Sequence, residues 1–260
     1  MFGYAMMRLM RFGDLDIARI GLGTNRLTHT PDHVGFIRAA VEAGVQMIDT
    51  AHLYTGTQSE KTIGEALSRS PQDVVVATKG GFNAGEGRPD VLRGQIEESL
   101  RNLRTDAITL YFLHRVHPDT PLEVSLGVIN EQVEAGKIRY VGVSEVDVGQ
   151  IERARKVVPI HAVQNHYNLG ERKWDAVVDY CEREGIVFVP FFPLRSGHSA
   201  AVDELARKHR VTAAQVMLAW LLHRSPAMLP IPGTLSLQHL KENLAAEKIE
   251  LTRTEYESLA

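Results

Sequence analysis

Eight short apolar runs recur along this chain at intervals of about thirty residues: IARIGLG, VQMIDTA, VVVATKGG, AITLYFLH, IRYVGVSE, HAVQNHY, IVFVPFFPL and MLPIPG. Each is rich in Val, Ile or aromatics and nearly continuous, the pattern of strands buried on both faces of a parallel sheet. Stretches of helical periodicity lie between them, among them VGFIRAAVEAG, SEKTIGEALSR, RPDVLRGQIEESLRNL and PLEVSLGVINEQVEAGK. Gly44 and Gly136 fit positions just past helix ends, and Asp32, Thr120 and Asp147 fit helix starts. Strand and helix alternating without a linker predict an α/β chain, a single (β/α)8 TIM barrel over residues 1–260. A doubly wound open sheet is the rival, but its first turn needs G-x-G-x-x-G and this chain offers GLGTNR. Residues 195–225 hold two helical patterns before the last strand, which predicts an element added to the barrel.

A net charge of -3 with 23% charged residues gives no basic field, so nucleic acid and anionic membrane are not expected as partners. Cys181 is the single cysteine, which rules out an intrachain disulfide and a thiolate metal cage. The opening MFGYAMMRLMR lacks a basic leader region and a small-residue cleavage site, and no apolar run approaches the roughly 20 residues of a membrane helix. The expectation is a cytoplasmic protein, monomeric or weakly homo-oligomeric.

In such a barrel the site lies at the carboxyl ends of the strands. Those ends carry Thr24 and Asn25, Asp49, Lys79, His114, Ser144 with Glu145, Gln164 with Asn165, and Gly233 with Thr234, and Tyr54 follows Asp49 in a polar loop. Each has an ordinary reading: Asp49 as a helix cap, Lys79 reaching to water, His114 as a structural histidine, Tyr54 as packing. Together they put a carboxylate, an ammonium and an imidazole from three strands at one mouth. A buried Asp–Lys pair beside a phenol has a chemical use, since the ammonium favours phenolate and lowers the tyrosine pKa from about 10. The tyrosine then serves as a proton donor near neutral pH.

The motifs IDTAHLY, ATKGG, YFLH, VGVSE, VQNHYN and IPGTLSLQHLKEN resemble, in order and across essentially the whole chain, the aldo-keto reductase family. Asp49, Tyr54, Lys79 and His114 match its catalytic tetrad, and VPFFPL with QVMLAWLLHRSPAMLPIPGT look most like its bacterial pyridoxal reductase branch. The resemblance implies reduction of an aldehyde or ketone by hydride from NADPH, with NADH as a possible second donor. Tyr54 would protonate the carbonyl oxygen, Lys79 held by Asp49 would tune it, and His114 would orient the carbonyl. Pyridoxal is a candidate substrate.

The same resemblance implies a cofactor site. Ser144 and Gln164 would hold the carboxamide, and Phe191, usually a tyrosine in the family, would stack on the nicotinamide. Gly23, Thr24, Asn25 and Asp49, with Phe192, Pro193 and Leu194, would complete the wall. Gly233, Thr234 and Ser236 would meet a phosphate at the start of the last helix, with His239 near it, and Glu242 and Asn243 would hold the adenine edge. Three departures stand out. Glu145 replaces a common Asn, Gly233 and His239 replace a Lys and Arg that grip the 2′-phosphate, and the LRSGHSAAVDEL loop is short. Arg195 and His198 in that loop would then supply charge. The chain ends at Ala260, where the family usually continues into a wall of the substrate pocket, so an open pocket is expected.

Two other readings compete. A metal-dependent barrel hydrolase would use Asp49, His52, His114 and His117, but no H-x-H pair lies on the first strand. A non-catalytic, cofactor-sensing regulatory subunit would keep the fold, but has no need of all four tetrad residues. No metal is expected.

Overall fold

The computed structural model describes residues 9–68 and 74–259. Most of the apolar opening, Arg69 at the end of one helical pattern, and Ala260 lie outside them.

Nine strands are present among the described residues. Met10–Phe12 (β1) and Leu15–Ile17 (β2) form an antiparallel hairpin. Leu22–Gly23 (β3), Met47–Asp49 (β4), Val75–Gly80 (β5), Ile108–Leu113 (β6), Ile138–Ser144 (β7), Ala162–Gln164 (β8) and Val187–Phe188 (β9) pair in that order, every pair parallel. Residues 228–233 close the ring. Gly21 and Gly23 donate their N–H groups to the Pro230 and Pro232 carbonyls at 3.0 and 3.2 Å, and Leu229 donates to the Phe188 carbonyl at 2.9 Å. The architecture is therefore a (β/α)8 barrel. Its eighth strand is irregular because Pro230 and Pro232 have no N–H to return, so pairing survives only as isolated bridges at Gly23–Gly233 and Phe188–Met228.

The first expected strand is also shorter than its apolar run. Ile17 belongs to the hairpin, and the Ala18 N–H turns away to Gln46 Oε1 at 2.8 Å, so only Leu22–Gly23 joins the barrel. Side chains alternate between two cores, as pleating requires. Met47, Val75, Ala77, Leu110, Phe112, Ala162 and Ile231 fill the interior, where Phe12 and Ile17 of the hairpin join them. Ile48, Ile108, Tyr111, Leu113 and Val141 face outward into the larger core under the helices.

The helices are Pro31–Glu42 (α1), Gln58–Leu67 (α2), Pro89–Leu103 (α3), Leu122–Glu134 (α4), Val148–Ala154 (α5), Asp175–Glu184 (α6), Ala200–His209 (α7), Ala213–Arg224 (α8), Leu237–Ala245 (α9) and Arg253–Ser258 (α10). Gly44 and Gly136 sit just past α1 and α4 with φ of +104° and +75°. Asp147 caps α5 through a reciprocal box with Gln150. Asp32 lies in the first turn of α1, but Thr30 is its cap. Thr120 is not a cap either: Pro121 takes that position at α4. α7 and α8 form the additional element between β9 and the closing segment. Among the described residues, no helix is long and apolar enough to cross a membrane.

Candidate active site

Parallel pairing carries the strand-end residues to one mouth. Gly23 stands beside Asp49 and Asp49 beside Ala77, Lys79 pairs with Phe112, and Ser144 with Gln164. His114 follows β6 directly, its N–H held by the Gly80 carbonyl at 2.8 Å. Tyr54 hangs from the turn after β4, where Thr55, Gly56 and Thr57 are all left-handed, at φ of 50°, 63° and 66°. Such values are costly for β-branched residues, on the order of 1–3 kcal/mol each. Thr55 Oγ1 offsets part of this by donating to the Leu27 carbonyl at 2.6 Å.

Lys79 does not reach water; its side chain is 0% exposed. Nζ donates to Asp49 Oδ2 at 2.8 Å and to the Thr50 carbonyl at 2.6 Å. The other Asp49 oxygen accepts from Gln164 Nε2 at 2.8 Å. Asp49 is thus bound on both oxygens and caps no helix. The Lys79 ammonium lies 5.1 Å from the centre of the Tyr54 ring. Its pull does not lower the phenol pKa as the sequence suggested. Burial pushes Tyr54 above its ordinary value of 10, and the Asp49 carboxylate adds to the rise against Lys79. The phenol therefore stays protonated at neutral pH.

His114 is buried between Phe82, at 4.8 Å between ring centres, and Tyr54, at 6.2 Å. Burial, then Lys79 and Arg115, hold its pKa well below 6.5, so the imidazole is neutral. Its Nδ1 has no hydrogen-bond partner among the described residues. Sequence reasoning passed over Arg115. Its Nη1 donates to the His114 carbonyl at 2.6 Å and to Ser144 Oγ at 3.0 Å. The available signal was the LHR tripeptide, a cation directly after the strand-end histidine.

A cavity of about 800 Å³ opens over these groups. Asp49, Tyr54 and His114 line it, with Gly23, Thr24, Asn25, Gln164, Phe191, Phe192, Pro193, Leu194 and Gly233, while Lys79 lies beneath. Ser144 is outside the lining, with its hydroxyl on Arg115. Thr234, His239, Glu242 and Asn243 are also outside it, around the start of α9. There Ser236 Oγ caps the helix by accepting the His239 N–H, Thr234 Oγ1 accepts the Ser236 N–H, and Glu242 Oε1 accepts from Gln238. Glu145, with φ of 56°, spends Oε1 on the His166 N–H at 2.6 Å. Arg195 reaches the cavity; His198 instead pairs with Asp203 at 2.8 Å.

A nicotinamide group fits these residues. Phe191 stacks one face on His166 at 5.3 Å and is only partly buried where it lines the cavity. Gln164 gives its Nε2 to Asp49 and keeps its amide oxygen free of partners among the described residues. The cavity has the size of a small-molecule site. The hydrolase reading finds no support: His52 turns to Glu98 and His117 to the Phe82 carbonyl. Among the described residues, no three His, Cys, Asp or Glu side chains converge as metal ligands.

The sequence profile described as the Aldo/keto reductase family matches residues 19–260. Pyridoxine 4-dehydrogenase of Escherichia coli is 35% identical over 267 residues, 96% of this chain and 93% of its own length. An uncharacterized oxidoreductase of Schizosaccharomyces pombe is 36% identical over 263 residues, 94% of this chain and 86% of its own. Among solved structures, a thermostable aldo-keto reductase in complex with the inhibitor epalrestat superposes with a TM-score of 0.88 at 33% identity, over 96% of this chain and 97% of that one. An aldo/keto reductase from Klebsiella pneumoniae in complex with NADP and acetate gives 0.86 at 28% identity, over 96% and 93%.

Proposed function

Since the chain belongs to the aldo/keto reductase family, we propose that it reduces an aldehyde or ketone to the alcohol, using NADPH in preference to NADH, with Tyr54 as general acid. The observation that carries this reading is the Asp49–Lys79 pair buried beneath a protonated Tyr54, with a neutral His114 across the cavity.

Reduced nicotinamide, when bound, supplies the hydride, which no side chain can give. Gln164 and Phe191 would hold that ring, and Asn25 and Gly233 would flank it. The chain's own residues manage the proton. Tyr54 Oη gives its proton to the substrate oxygen, and the ammonium of Lys79, fixed by Asp49, stabilises the phenolate left behind. His114, being neutral, donates a ring N–H to the carbonyl oxygen and fixes its direction without taking the proton. Phe82 and Leu53 line the same cavity.

The NADP in the Klebsiella pneumoniae neighbour supports the choice of NADPH. Pyridoxal is the substrate we favour testing first. The identity to Pyridoxine 4-dehydrogenase supports it, and a flat aromatic aldehyde suits a pocket bounded by Phe82 and Tyr54. The test is kcat/KM for pyridoxal against benzaldehydes lacking its ring nitrogen and hydroxyl groups, with each nicotinamide donor. Clear preference for pyridoxal is the expected result. Equal turnover would leave a general carbonyl reductase, and no turnover of any carbonyl would remove the reductase reading.

A further inference from the structure

Arg115 enters the cavity beside His114 without a counter-ion. Its Nη1 is committed to the His114 carbonyl and Ser144 Oγ, while Nε and Nη2 make no hydrogen bond to the described residues. The guanidinium carbon lies 5.2 Å from the Phe82 ring centre and 5.7 Å from that of Phe191. The side chain is half-buried. Glu145 is near enough to act on its charge, yet no carboxylate among the described residues comes within the 4.0 Å of an ion pair.

A cation held among rings, partly desolvated and unpaired, is unfavourable unless something completes it. The other charges of the mouth do not. Asp49 is satisfied by Lys79 and Gln164, while Glu145 gives Oε1 to the His166 N–H and acts on Arg115 only from beyond ion-pair distance. Arg26 and Arg195, on the rim of the same cavity, add further positive charge. A guanidinium presents its donors as a flat fork that fits a carboxylate better than any neutral acceptor. Its neighbour Phe82, packed on His114, favours a planar group beside the carbonyl-activating pair of Tyr54 and His114.

We propose that Arg115 determines specificity by receiving a carboxylate on the substrate, so that an aromatic aldehyde bearing that group is favoured over the same aldehyde with the group masked. The proposal deepens the reductase reading and rests on it. Arg115 touches no reacting atom in this scheme; it fixes which molecules present their carbonyl to Tyr54.

The experiment compares 3- and 4-carboxybenzaldehyde with their methyl esters, using the full chain and NADPH. The wild-type protein is expected to favour the better acid over its ester by at least about tenfold in kcat/KM, mostly through KM. Arg115→Gln should erase that preference by lowering kcat/KM for the acid far more than for the ester. Arg115→Lys, which keeps charge but loses the fork, should fall between them. A wild-type protein indifferent to the carboxylate overturns the proposal. So does an Arg115→Gln variant that loses acid and ester equally, since that is the signature of a residue that merely props up His114 and Ser144. A second readout needs no turnover: calorimetric titration with 3- and 4-carbamoylbenzoate and the corresponding diamides. Selective binding of the carboxylates, lost in Arg115→Gln, upholds the anion site even if no aldehyde is reduced; equal binding of both classes refutes it.

Discussion

Lys79 and Asp49 form an ion pair with almost no contact with solvent, Nζ to Oδ2 at 2.8 Å, with side-chain exposures of 0% and 3%. The pair sits where parallel strands are ordinarily most apolar, between β4 and β5. Gln164 holds the second Asp49 oxygen, and the Thr50 carbonyl accepts a second hydrogen bond from Lys79. Burial at this depth makes the pair unforgiving of the loss of either member.

Replacing Lys79 by Met leaves the Asp49 carboxylate buried without its cation. We expect a loss of about 3–5 kcal/mol in folding stability, read from urea denaturation. Adding Asp49→Asn to that variant should recover part of the loss, because the uncompensated charge is gone. No difference between the single and double variants would mean that the charge is not the cause.

Tyr54→Phe keeps the ring and removes the acid. Carbonyl reduction should fall on the order of 10²–10⁴-fold, while the Kd for NADPH, measured by fluorescence quenching, stays near wild type. Full kcat in this variant would end the assignment of Tyr54 as proton donor.

The pH profile follows from two opposite shifts. Tyr54 must be protonated to donate, so reduction is supported below its pKa and lost as pH rises through it, and that pKa is raised above 10. His114 acts neutral, and its pKa is held well below 6.5. Hence kcat/KM for reduction should be flat from about pH 6 to 9, with no fall at the usual imidazole pH. The same histidine affects stability. The unfolded chain takes its proton near 6.5 and the folded one does not, so this contribution is full above that pH and is lost as pH falls below it. A rate limb centred near 6.5 would contradict the buried, neutral assignment.

His239 is exposed on the first turn of α9, beside the Ser236 cap. If the 2′-phosphate docks there, His239→Arg should raise the NADPH-over-NADH ratio of kcat/KM by about tenfold or more, since a guanidinium binds phosphate in bidentate fashion. An unchanged ratio would place that phosphate elsewhere.

Glu255 tests a contact far from the cavity. Its Oε1 meets Lys208 and His209, both at 2.8 Å, and Oε2 accepts the Thr252 N–H. The Lys208 contact and the Thr252 backbone bond hold its pKa down at about 2, against 4.5 unfolded. The stabilisation is therefore present above pH 4.5 and lost as pH falls towards 2. Glu255→Gln keeps the cap but removes the charge. Its Tm should be lower than wild type at pH 7, with the gap closing on acidification.

The barrel was legible because parallel strands need continuous apolar runs, and these are hard to hide in a sequence. The convergence of Asp49, Lys79 and His114 was legible for a related reason: a polar residue ending such a run stands out. The β1–β2 hairpin was not, since three-residue strands carry no periodicity. The irregular eighth strand could have been read from Pro230 and Pro232, but the apolar run concealed the missing donors. Tyr54 shows a different limit. The sign of its shift depends on how deeply the phenol is covered, and no neighbour in the sequence reports that. Arg115 escaped because an arginine just past a strand is ordinarily solvated, and only the rings of Phe82 and Phe191 make it otherwise.

Closure through Pro230 and Pro232 also sets an order of events while the chain is being made. Gly233 lies 210 residues after Gly23. At translation speeds of about 5–20 residues per second, the edge of β3 waits roughly ten to forty seconds for its neighbour. Until it arrives, the Gly21 and Gly23 amides lack the acceptors that they have in the finished barrel, the kind of edge on which other strands pair wrongly. The segment that arrives last carries two prolines and accepts at both. It seals the waiting edge while offering little to a second chain, so the irregularity that weakens the joint also protects the newborn barrel from its neighbours.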